Sequence, residues 1–285
     1  MKRFFEKILL LFEKQGTIGQ PREAKPPTRQ GARIFIVRRR TLVLCGALVC
    51  ACAIFAAVQY PAAVTTYAAQ RQLPIYSVAR DQKVCSISFD AAWGADLTGE
   101  ILDILERYDV KTTFFVVGNW ASQYPETVKA IAEAGHEVMN HSNAHDHYNS
   151  LSREEIIADV TACNEVIAKL TGVTPTLIRC PFGEYDDHVV TAIRSMGMEV
   201  VQWSLDSIDW KNISADEICR RIVGKVSPGE IILFHNAAEH TPEALPTILE
   251  HLLSEGYEVV PISKILLSGE YTLDHTGRQM PAEKK

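Results

Sequence analysis

The sequence predicts a parallel α/β domain preceded by one apolar helix of membrane length, and three observations support the α/β reading. Short β-rich runs at 85–89, 112–117, 137–140, 176–179, 199–204, 230–234 and 258–261 alternate with helical patterns, as in sheets whose strands are joined by helical crossovers. Helix-end signals fall between the runs: Pro125 near a first turn, Ser152 three residues before Glu155 as a capping box, and Gly135 and Gly197 just past last turns. Finally, Asp90, His141, Arg179, Asp206 and His235 each stand at or just beyond the C-terminal end of a predicted strand, the edge where parallel α/β folds assemble their sites. Periodicity leaves open whether the sheet is open or closed into a barrel.

Residues 1–40 read as a basic tail, with eleven Lys or Arg against three Glu, although the 285-residue chain carries a net charge of -6. The remainder is therefore acidic, which argues against nucleic acid as a partner. The predicted membrane segment, 41–59, begins with eighteen residues free of charge (41–58), close to the ~20 that a spanning helix needs. Arg38, Arg39 and Arg40 abut it. The positive-inside rule then places 1–40 in the cytoplasm and the rest outside, as a single-pass protein of the cell membrane with an extracytoplasmic domain. A cleaved signal peptide competes with the anchor, but such peptides have shorter leaders and cores. Residues 60–80 read as a linker and 268–285 as an exposed tail. The apolar content of 47% suffices for an ordinary core. Cys45, Cys50 and Cys52 lie in the apolar run, and Cys85, Cys163, Cys180 and Cys219 show no paired spacing, so all seven read as free thiols.

Five segments carry chemistry: Ser-Phe-Asp at 88–90, His-Ser-x-x-His at 141–145, Arg-Cys-Pro-Phe-Gly at 179–183, Asp-Ser-Ile-Asp-Trp at 206–210 and Leu-Phe-His at 233–235. Imidazoles four apart, His141 and His145, face one ion if the segment turns helically, and neutral imidazole suits zinc and similar divalent metals. A carboxylate and a histidine that titrates near neutrality are the usual partners of acid–base hydrolysis. In order and spacing the segments resemble the polysaccharide deacetylase family, the metal-dependent carbohydrate esterases, over 81–267.

That resemblance implies a distorted, incomplete (β/α) barrel and N-deacetylation of a cell-wall polysaccharide, with peptidoglycan the expected polymer. Asp90 would be the base that deprotonates a metal-bound water, Arg179 its partner, and His141 and His145 metal ligands. His235 would be the acid that protonates the departing sugar nitrogen, held by Asp209. The Phe182 N–H would serve the developing oxyanion, while Trp210 and Leu233 would line an acetyl pocket; Trp210 reads equally well as a core residue. One departure stands out: Ala91 occupies the place of the family's second Asp, the third metal ligand. A zinc ion would then need Asp90 itself, Asp96 or extra water. His147 is a further candidate, although a solvated loop histidine is the plainer reading. The FDAAWG segment at 89–94 resembles a subgroup associated with spore formation, implying a role in the spore cortex. The alternative raised by Ala91 is a non-catalytic wall-binding or structural protein. A third reading, hydrolysis of a small amide or cyclic imide, is opposed by the apparent anchor.

Overall fold

The structure is a computed structural model that describes residues 39–59 and 71–282, with side chains in the first stretch described over 44–55. Two compact units divide the chain, Met1–Ala69 and Gln70–Lys285. In the first, helix α1 spans Arg39–Gln59, and Leu44, Leu48, Val49, Ile54 and Phe55 are exposed on it. Among the described residues no helix is long and apolar enough to cross a membrane, so the structure gives the expected anchor at 41–59 no support. The expected tail lies outside the described residues up to residue 38, as does 60–70 of the linker.

The second unit is built on a curled half-barrel of parallel strands. These are β2 (Val84–Ala91), β3 (Thr113–Val116), β4 (Glu137–Asn140), β5 (Leu177–Ile178), β6 (Glu199–Val200), β7 (Leu205–Asp206), β8 (Ile231–His235) and β9 (Glu258–Val259). Their order is β6-β5-β4-β3-β2-β8-β7, with β9 paired to the start of β2. The register sets Asp90 opposite Phe115 on one side and His235 on the other, which makes neighbours of two residues far apart in sequence. Period-two alternation explains how β2 serves two layers. Cys85, Ile87, Phe89 and Ala91 join the apolar cluster with helices α2 (Thr98–Arg107) and, further along the chain, α8 (Thr241–Ser254). Between them Ser86 and Ser88 donate to the carbonyls of Val260 and Ile232, leaving Asp90 as the last polar group in the row.

Five further helices link these strands: α3 (Gly118–Gln123), α4 (Pro125–Glu133), α5 (Arg153–Thr171), α6 (Asp187–Arg194) and α7 (Ala215–Ile222). One more among the described residues, α9, is a single turn at Ile262–Ile265. The capping box expected at Ser152 and Glu155 is formed, and Gly172 closes α5 at φ 77, a left-handed conformation in which a side chain would be strained.

Two stretches depart from expectation. The tail 268–285 contains β10 (Tyr271–Leu273) and β11 (Arg278–Pro281), which form a small sheet with β1 (Ser77–Val78). Gln279 is buried there and accepts the Leu267 N–H at 2.7 Å. Ile75, in the expected linker, is also fully buried, and its N–H donates to the Val200 carbonyl at 2.9 Å. These short strands carry too little apolar alternation to be recognised without their partners. Likewise the expected strand 199–204 is only Glu199–Val200, and β7 follows as a separate strand.

Candidate active site

Asp90 emerges at the end of β2 with its side chain almost fully buried. Its Oδ1 accepts Arg179 Nη1–H at 2.7 Å. Arg179 is itself 0% exposed, donates Nη2–H to the Gln202 carbonyl at 3.0 Å, and lies over the Phe115 ring at 4.2 Å. Burial alone would push the Asp90 carboxyl up, but the Arg179 guanidinium, and then His141 and His235, outweigh it and hold the group below its ordinary value. Asp90 is therefore a fixed carboxylate, as the pairing expected from sequence requires.

His141 follows β4. Its Nδ1 lies 2.8 Å from the Arg179 carbonyl, which can only accept, so Nδ1 carries the proton and Nε2 presents its lone pair 3.6 Å from Asp90 Oδ2. The 141–145 segment does not turn helically: Ser142 (φ 73) and His145 (φ 61) both adopt left-handed backbone. Side chains that take up the loop's N–H groups explain this. Asn140 Oδ1 accepts Ser142 N–H at 2.7 Å, Ser142 Oγ accepts His145 N–H at 2.9 Å, and the Asp159 carboxylate on α5 accepts Asn143 and Ala144 N–H at 2.9 and 3.2 Å. Tyr148 donates its hydroxyl to Asp159. Gly118 permits the close approach, since a Cβ there would stand 2.3 Å from Asn143 Oδ1. The loop nevertheless brings the two imidazoles together, ring centres 5.0 Å apart. Burial, and then His141 beside it, pull His145 down to about 4, so it is a neutral donor.

These residues do not complete the shell of a hydrolytic zinc, which takes three protein ligands. Two imidazoles are available, Asp90 is held by Arg179 through Oδ1 with only Oδ2 turned toward His141, and Ala91 packs in the apolar cluster and offers no donor. Neither substitute read from sequence is brought in. Asp96 is exposed and lies outside the cavity lining, while the Phe182 ring stands between His145 and His147 at 4.5 and 4.2 Å. His147 pairs instead with Glu184 at 2.9 Å. Among the described residues no group of three His, Cys, Asp or Glu is arranged to hold a metal ion.

The second pair lies on the next strand. His235 ends β8, and its Nδ1 and its backbone N–H meet the two oxygens of Asp209 at 2.7 and 2.8 Å. Thr241, which begins α8, donates its hydroxyl to the same carboxylate at 2.6 Å. Burial pulls His235 down, but the Asp209 hydrogen bond and charge, reinforced by Asp90 and Asp206, overturn that and raise it above 6.5. Asp206, which closes β7, accepts the Ile208 N–H at 2.8 Å and so shapes the turn that delivers Asp209.

A cavity of about 510 Å³, within the usual size of ligand sites, joins Asp90, His141, His145, Asp206, Leu233 and His235. Phe182 and Trp210 line it from the loops after β5 and β7. Trp210 is exposed, so its reading as a core residue does not hold. Phe182 sits at φ 58 in a short 3-10 turn, Pro181–Gly183. Sequence reasoning passed over Trp93 and Trp203, which also line the cavity, and over Asn140, Asp159, Gln202 and Thr241, which hold the site from behind. An aromatic just past a strand end was a signal for Trp93; Asp159 had none, because its contact exists only once α5 packs on the loop.

The sequence profile of the polysaccharide deacetylase family matches residues 77–201. The peptidoglycan-N-acetylmuramic acid deacetylase PdaC of Bacillus subtilis is 33% identical over 185 residues, covering 65% of this chain and 39% of its own. A peptidoglycan-N-acetylglucosamine deacetylase of Bacillus cereus is 31% identical over 196 residues, covering 67% of this chain and 92% of its own. The crystal structure of a CE4 family pseudoenzyme from Bacillus anthracis superposes with a TM-score of 0.65 at 34% identity, covering 68% of each chain. A mutant of that pseudoenzyme with restored enzymatic activity superposes equally well, with a TM-score of 0.65 at 35% identity, covering 68% of this chain and 71% of its own. The chain spans less than half the length of PdaC.

Proposed function

We propose a function from one premise: the chain belongs to the polysaccharide deacetylase family. The proposed activity is N-deacetylation of an N-acetylated amino-sugar polymer of the cell wall, with peptidoglycan as the polymer because the curated relatives are peptidoglycan deacetylases, hydrolases of amide bonds. The observation that carries it is the meeting on one cavity of a carboxylate held ionised by Arg179 and a histidine whose pKa Asp209 raises. In this reading Asp90 takes a proton from water as the oxygen adds to the acetamide carbonyl. His235 then gives its proton to the sugar nitrogen as the C–N bond breaks, releasing acetate and a free amine. The Phe182 N–H is the proposed donor to the oxyanion, and Leu233 and Trp210 the wall of the acetyl pocket.

The family generally uses a divalent metal. In this chain His141 and His145 are the available donors, and zinc is an ion that two imidazoles favour, held weakly for want of a third ligand. The charge-free run at 41–58 after three arginines supports attachment to the cell membrane with everything after about residue 60 outside. The FDAAWG segment supports a place in the spore cortex.

Acetate release from peptidoglycan and from N-acetylglucosamine oligomers, with and without added zinc and after chelation, tests the activity. Chelator-sensitive release supports a metal-dependent deacetylase. Absence of release with wall binding retained supports the second reading, a non-catalytic polymer-binding protein, which Ala91 and the likeness to a pseudoenzyme favour.

A further inference from the structure

Among the described residues of Gln70–Lys285, the large hydrophobic side chains left exposed are Trp93, Val173, Phe182, Trp210 and Leu253. The three aromatics all line the one cavity, where Trp93 is 61%, Phe182 53% and Trp210 58% exposed. Apolar side chains normally lower the free energy by leaving water, so exposed rings gathered at one cleft mark a surface that a ligand covers.

Their placement follows the sheet. Trp93 comes after the central strand β2, Phe182 after β5 on one flank and Trp210 after β7 on the other, so the rings span the cleft across the strands that carry Asp90, His141 and His235. Trp93 packs edge-on against His145 at 5.2 Å, and its Ala-Ala-x-Gly surroundings place no bulky side chain beside it in sequence. Lys211 Nζ lies 4.9 Å over the Trp210 ring. Such rims suit a chain of pyranose rings, each with an apolar C–H face and a polar edge: the face lies on an aromatic ring and the edge stays wet.

We propose that Trp93 is a sugar-stacking residue that, with Trp210, holds successive rings of an amino-sugar polymer across the cleft, and that it acts in binding whether or not hydrolysis follows. This rests on the polymer reading above. The test is equilibrium binding of N-acetylglucosamine oligomers to the full chain by calorimetry, in chelator so that turnover does not intrude, comparing wild type with Trp93→Ala, Trp93→Phe and, as a control at a remote exposed apolar position, Leu253→Ala. The expected result is about a ten-fold weaker Kd for Trp93→Ala, near-wild-type binding for Trp93→Phe, which keeps an aromatic face, and no change for Leu253→Ala. Wild-type affinity in Trp93→Ala overturns the stacking role and leaves the polymer reading standing. Equal losses in Trp93→Ala and Trp93→Phe overturn it as well, because stacking tolerates one aromatic ring for another. No binding by the wild type to any oligomer length overturns both.

Discussion

Arg179 reaches Asp90 through a single 2.7 Å hydrogen bond, with both side chains withdrawn from water and the guanidinium lying over Phe115. Neither partner is tolerable without the other at that depth. Arg179→Ala leaves a buried carboxylate unpaired and is expected to cost about 3–5 kcal/mol in urea unfolding. Arg179→Lys is expected to lose much of the same, since a point charge cannot serve Asp90 and the Gln202 carbonyl together. A change below about 1 kcal/mol in Arg179→Ala would show that the pair does not hold the fold.

The same pair sets an acid limit. The folded Asp90 carboxyl lies below its ordinary 3.8, because Arg179 and the nearby histidines outweigh burial. A depressed carboxyl contributes stability that is present above the unfolded value and lost as pH falls through the folded one. Wild type is thus expected to lose stability below about pH 4, and Asp90→Asn to lose less over that interval. Parallel stability curves for the two proteins would remove Asp90 from the acid transition.

His235 behaves in the opposite sense. Its folded pKa is raised above 6.5 by Asp209 against the pull of burial, so its contribution is complete below 6.5 and fades as pH rises through the folded value. Asp209→Asn keeps the shape and removes the charge. An NMR titration is expected to show the His235 pKa falling toward or below 6.5 in the variant, with catalysis losing its alkaline shoulder first. An unmoved His235 pKa would assign the shift to another neighbour.

The family resemblance puts the absent third metal ligand at residue 91, where this chain has Ala91. After dialysis the wild type is expected to retain well under one zinc per chain and Ala91→Asp to approach one, measured by elemental analysis. Because Ala91 is fully buried in an apolar cluster, the variant is expected to be destabilised without metal and recovered by zinc. Equal zinc contents would locate the deficit elsewhere.

The strand ends that carry the site were legible because the chemistry lies in short, ordered segments: Asp90, Arg179, Asp209 and His235 stand in the pairs the resemblance implied. Glu137–Asn140 matches the run read from sequence, and the capping box at Ser152 marks the start of α5. The path of the 141–145 loop was not legible. A helical turn was only the condition under which the two imidazoles would face one ion, and Asp159, sixteen residues away from Asn143, takes two of the loop's N–H groups while Ser142 and His145 adopt left-handed backbone. Strands β10 and β11 were missed for a related reason, since their pairing with β1 draws on both ends of the domain. Trp93 was visible as a residue, but its exposure beside the cavity is a property of the fold alone.

The most direct measurement is acetate release from peptidoglycan by wild type and Asp90→Asn, at polymer concentrations where both are equally loaded. Loss of the base is expected to lower the rate by about 10²–10⁴ while polymer binding persists. Release that is measurable in wild type and unchanged in Asp90→Asn would contradict the assignment of Asp90, paired with Arg179, as the group that drives amide hydrolysis.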